Sequence, residues 1–128
     1  MSTHGTFFWN ELNTRDVEGA KAFYAATLGW SYEAMPMPGF TYTVVKAGDT
    51  TVGGIFDITG AEFEGIPSHW FAYIAVDDVD ARIAKVAGAG GAVLKAPFDV
   101  PEVGRMGVVK DPTGAVVGWI TPVPMPAG

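Results

Sequence analysis

The run Phe7-Phe8-Trp9-Asn10-Glu11 sets a carboxylate near an indole. If it is a strand, side chains alternate, and Phe7, Trp9 and Glu11 share one face. A carboxylate sheltered there is a candidate general base or a ligand contact. From Asp16 to Asp78, 62 positions on, the chain repeats itself, so that Phe71 corresponds to Trp9 and Tyr73 to Glu11. The Tyr73 hydroxyl could donate to the Glu11 carboxylate, and His69, on the same face as Phe71, could supply a proton. The plainer readings are a structural tie between the two halves for Glu11 and Tyr73, and a solvated rim histidine for His69. Trp9, Phe71 and Tyr73 each read first as core packing and, taken together, as the wall of a cavity. Gly54 and Gly118 would leave that cavity open, a shape suited to a flat organic ligand. Arg105 could meet a ligand carboxylate, or end in a surface ion pair.

The elements that must carry these residues follow from local signals. A strand is expected over about Thr6 to Leu12, then a helix capped by Asp16 and closed by Gly29. Val17, Ala20, Phe23, Tyr24 and Leu28 fall at helical spacing and should form its packed face. Strands at Ser31 to Met35, Phe40 to Ala47 and Thr50 to Ile58 are separated by Pro38-Gly39 and Gly48-Asp49 turns. A linker spans about 59–68. The second half predicts a strand from His69 to Val76, a helix from Asp78 to about Ala87, and strands near Ala92 to Lys95, Met106 to Lys110 and Ala115 to Thr121. Asp111-Pro112-Thr113-Gly114 fits a type I turn that makes the last two strands a hairpin. Pro97 and Pro101 predict an irregular loop from Ala96 to Gly104 over a cavity mouth, and the proline-rich tail is expected to be extended. Trp30 and Trp119 should pack against helices.

Each half thus runs from an aromatic strand through an Asp-Val dipeptide (Asp16-Val17, Asp78-Val79) into a helix that ends on glycine. With the DPTGA turn, this arrangement resembles the vicinal oxygen chelate superfamily of glyoxalase I, bleomycin-resistance proteins and extradiol dioxygenases. The resemblance implies an α+β fold in which two tandem βαβββ modules, about 6–58 and 69–121 of a single domain 1–128, form a curved mixed sheet or half-barrel around a cavity, helices outside.

Many such proteins hold a divalent metal, with His or Gln at the first strand of each module and Glu at the last. The resemblance puts those positions on Trp9, Phe71, Gly54 and Gly118, none of which supplies the imidazole, carboxylate or thiolate that Zn²⁺, Fe²⁺ or Mn²⁺ needs. One imidazole and Glu11 are too few to replace them. No metal and no other cofactor is therefore expected, and a metal-dependent glyoxalase or dioxygenase is disfavoured.

Composition narrows the partners. The 128 residues carry a formal charge of −6, which opposes binding to nucleic acid or anionic membranes. There is no cysteine, which removes disulfides and thiolate chemistry. The N-terminus lacks a signal-peptide pattern and no stretch is long enough to span a membrane, so a cytoplasmic protein is expected. Gly53-Gly54 lies within a strand and makes no phosphate loop, and no Gly-x-Ser-x-Gly elbow occurs. With 48% hydrophobic residues in a small domain, a homodimer is expected. Two functions remain open: a metal-free protein that binds a small aromatic or natural-product-like molecule, and a metal-independent isomerase, cyclase or lyase with Glu11 as base and Tyr73 or His69 as proton donor.

Overall fold

A computed structural model describes residues 3–100 and 103–123. The chain divides into two compact units, Trp9–Phe71 and a second formed by the chain before Trp9 with the chain from Ala72 onward. Both are α+β, and the βαβββ order appears twice: β1 (Phe7–Thr14), α1 (Val17–Leu28), β2 (Ser31–Met37), β3 (Phe40–Ala47) and β4 (Thr50–Asp57), then β5 (His69–Ala75), α2 (Val79–Ile83), β6 (Ala92–Val100), β7 (Gly104–Lys110) and β8 (Val116–Pro122).

In the first set the strands lie in the order β2-β3-β4-β1. β1 runs parallel to β4, with Glu11 opposite Gly54 and Leu12 opposite Ile55. β4 is antiparallel to β3, with a register shift between Val45 and Lys46 that puts Val44 opposite Gly54. Leu12, Val45 and Ile55 form the buried centre on one face, covered by Val17, Ala20 and Tyr24 of α1 and by Trp30. The Asp16 carboxylate accepts from the Gly19 amide at 2.9 Å, satisfying a first-turn donor and contributing about 1 kcal/mol. Gly29 ends α1 at φ 73°, where any Cβ would be strained. The packed stripe of α1 is narrower than its spacing suggests: Phe23 and Leu28 are 59% and 58% exposed. Arg15 anchors the segment after β4, donating to the carbonyls of Ile58, Phe63 and Ile66.

The second set repeats the pattern in the order β5-β8-β7-β6. β5 is parallel to β8, with Tyr73 opposite Gly118. Val76, Val79, Ile83, Val86 and Val109 form its core, with Trp119 packed against them as expected. The Asp111 turn is present: its carboxylate accepts from the amides of Thr113 and Ala115, and β7 and β8 pair as a hairpin.

Two expectations are corrected here. The helix after Asp78 stops at Ile83 and continues only as tighter turns through Ala89, which close on Gly90 at φ 91°. The segment from Ala96 to Val100 is a strand, not a loop. Pro97 is accommodated because β6 ends the strand order and shifts register between Lys95 and Phe98, so no ladder bond needs its missing N–H. Pro101 and the tail after Val123 lie outside the described residues.

Candidate functional site

In the unit Trp9–Phe71, strand alternation puts Trp9 and Glu11 on the face of β1 away from α1. Glu11 is 9% exposed. The Tyr42 hydroxyl of β3 lies between them. It receives the Trp9 indole N–H at 3.0 Å and donates to Glu11 Oε2 at 2.7 Å. Tyr42 reaches Glu11 by lying across Gly54, where a Cβ would overlap its ring and hydroxyl. Gly54 is therefore the floor beneath the tyrosine. The result is a directional chain, indole to phenol to carboxylate, which fixes the phenol proton toward Glu11.

His69 begins β5 in the same unit. Its Nδ1 lies 2.8 Å from the Pro67 carbonyl, which can only accept, so Nδ1 carries the proton. Nε2, 3.3 Å from Asn13 Nδ2, is then the acceptor. That arrangement turns the Asn13 carbonyl away, and its Oδ1 is buried without a hydrogen-bond partner. Phe71 is buried, its ring 6.2 Å from that of His69 in an edge-on contact.

The other predicted residues fall in the second unit. Tyr73 and Gly118 are buried neighbours on β5 and β8. Arg105 donates to Asp80 through Nε at 2.6 Å and Nη2 at 3.1 Å, while Nη1 lies 3.1 Å from Asp99. Two carboxylates neutralise it, and they hold its pKa above the usual guanidinium range.

The family's metal ligands have no counterpart in these residues. The Trp9 indole offers a donor already given to Tyr42, and a carboxylate at position 54 would collide with the Tyr42 ring. Among the described residues, no three of His, Asp, Glu or Cys come together as a metal-binding group. Tyr42 and Asn13 are the site residues the sequence reading missed. Asn13 was available from alternation, two positions beyond Glu11. Tyr42 was hidden by the bulge on β4 that shifts the β3–β4 register.

The Glyoxalase/Bleomycin resistance protein/Dioxygenase superfamily profile matches residues 6–118, and the chain belongs to that superfamily. It is 46% identical over 121 residues to the putative glyoxylase CFP32 of Mycobacterium tuberculosis, covering 94% of this chain and 45% of that protein. It is 34% identical over 119 residues to the anthracycline biosynthesis protein DnrV of Streptomyces peucetius, covering 84% and 43%. The chain thus spans less than half the length of these curated relatives. A solved Streptomyces coelicolor methylmalonyl-CoA epimerase, in complex with 2-nitronate-propionyl-CoA, has the same fold at a TM-score of 0.67 and 18% identity, covering 98% of this chain and 100% of that one. No described helix is long and apolar enough to cross a membrane.

Proposed function

We propose that this chain binds a small, flat, natural-product-like organic molecule without a metal, on the face that carries Trp9, Glu11 and Tyr42. The observation that carries this reading is the Trp9–Tyr42–Glu11 chain laid over Gly54. It presents aromatic surface beside one oriented carboxylate, the pairing that binds a planar ligand and fixes its direction. Phe71, buried in the same unit, is proposed to add aromatic contact. Arg105 is left out, because Asp80 and Asp99 already neutralise its charge. The anthracycline biosynthesis role in the name of one relative supports a natural-product ligand.

The second reading is a metal-independent isomerase, cyclase or lyase, and the glyoxylase name of the 46% identical relative favours it. Glu11 would then take a proton, with His69 of the same unit returning one. Three bonds weigh against it: Tyr42 donates to Glu11, and the two His69 nitrogens are engaged by Pro67 and Asn13. A crystal structure with a bound ligand tests the proposal. A ligand donor within hydrogen-bond reach of Glu11 is expected, and a planar natural-product ligand that leaves the Trp9–Tyr42–Glu11 face empty at saturation would overturn it.

A further inference from the structure

The opposite face of the same strands carries a cavity. Asn10 alternates with Trp9 and Glu11, so it lies on the side of β1 that faces α1, with Leu12. There, Asn10, Trp30, Val45, Gly53 and Trp70 enclose a partly closed space of about 230 Å³. Its floor is backbone: the Asn10 carbonyl lies so close to Gly53 that no Cβ fits between them. Its walls are two indoles at near right angles, Trp30 and Trp70, with centroids 6.1 Å apart at 83°. Tyr24 braces both, stacking on Trp30 at 5.0 Å and accepting the Trp70 N–H at 3.3 Å.

Three features specify an occupant. No charged side chain lines the space, so an ion would lose its hydration without compensation. Trp30 and Trp70 touch each other edge to face, and the indole surface they turn toward Gly53 suits an aromatic ring, which favours offset-stacked and edge-on partners. The Asn10 amide and the Trp30 indole N–H form no hydrogen bond among the described residues, yet the indole N–H is not sealed from solvent. They offer one donor and one donor–acceptor to a polar substituent. The volume lies below the usual range for drug-sized ligands, about 300 to 1,000 Å³, and suits one ring or a fused pair.

We infer that this cavity is a binding site for a small neutral aromatic molecule bearing a hydroxyl or similar hydrogen-bonding group, separate from the face that carries Glu11. Trp70 is 45% exposed and provides the entrance.

The four tryptophans make the test local, because Trp9 and Trp119 lie outside the cavity while Trp30 and Trp70 form it. Titration with p-cresol, toluene and p-toluate is followed by the indole N–H resonances of the ¹⁵N-labelled protein. Saturable shifts at Trp30 and Trp70 are expected with p-cresol, weaker ones with toluene and none with p-toluate. Trp70→Ala should weaken p-cresol binding by about tenfold or more, and Asn10→Ala, at an exposed side chain, by about three- to tenfold. Glu11→Gln should leave it unchanged. Shifts centred on Trp9, equal binding of cresol and toluate, or no saturation at millimolar p-cresol would each overturn the assignment. Because Asn10→Ala removes no packed side chain, an unfolded Trp70→Ala would still leave a decisive comparison.

Discussion

Tyr42→Phe removes one oxygen atom and leaves the ring over Gly54. The loss strands two groups: the Trp9 N–H loses its acceptor, and the Glu11 carboxylate loses a donor at 2.7 Å. A neutral hydrogen bond contributes about 0.5 to 1.5 kcal/mol net, and one to a charged group about 1.5 to 3. Trp9 and Tyr42 are only half-buried, so water replaces part of what is lost, and the expected cost is about 1 to 2 kcal/mol. With 128 residues and an unfolding entropy of about 2.1 cal/mol/K per residue, that lowers the thermal midpoint by about 4 to 7 °C. Scanning calorimetry measures it. A double-mutant cycle with Glu11→Ala separates the bond from packing, because each change removes one partner of the same contact. A coupling of about 1 kcal/mol is expected. A midpoint loss below about 1 °C, or additivity within about 0.3 kcal/mol, would show that the Tyr42 hydroxyl does not hold Glu11 in solution.

Other expectations concern acid, metal and assembly. Asp57, Asp77, Asp80 and Asp111 are held below the usual carboxylate range by bonds from Thr59, Arg82, Arg105 and Thr113 respectively. Since their folded pKa values are depressed, their stabilisation is complete above the ordinary carboxylate value of 3.8 and is lost as pH falls below it. The thermal midpoint should be flat from pH 7 to 5 and fall below 4, with a shallower fall in Asp111→Asn; a rise on acidification would contradict the sign. Elemental analysis of the purified protein should find no stoichiometric transition metal, and a chelator should leave the midpoint unchanged. One equivalent of Zn, Fe, Mn or Ni would contradict that. Sedimentation should show a homodimer at high micromolar concentration, and a monomer there would refute it.

The repeat made the fold legible. Two aromatic strands, each leading through Asp-Val into a helix, set the βαβββ order, and Asp16, Gly29 and the Asp111 turn behave as their residue types dictate. Pro97 misled because proline excludes a central strand but not an edge strand with a shifted register. Phe23 and Leu28 misled because helical spacing marks an apolar stripe without fixing its width.

The site was half legible for a reason of register. Alternation alone put Trp9 and Glu11 on one face. Counting from the Gly48-Asp49 turn without interruption would pair Thr43 with Gly54 and put Tyr42 on the helix side. The shift between Val45 and Lys46 pairs Val44 with Gly54 instead, turning Tyr42 toward Glu11. The extra residue is Val52 on β4, unpaired between Thr51 opposite Lys46 and Gly53 opposite Val45, and only Gly53, a residue type that often marks a bulge, hints at it.

Glu11→Gln tests the central claim most directly, since it keeps volume and hydrogen-bond acceptance from Tyr42 while removing charge and basicity. The thermal midpoint should change little and ligand affinity should shift; if the chain is an enzyme, turnover should also fall by about 10²-fold or more. A variant that unfolds while affinity and turnover per folded molecule match the wild type would make Glu11 a structural tie, and the site would lie elsewhere.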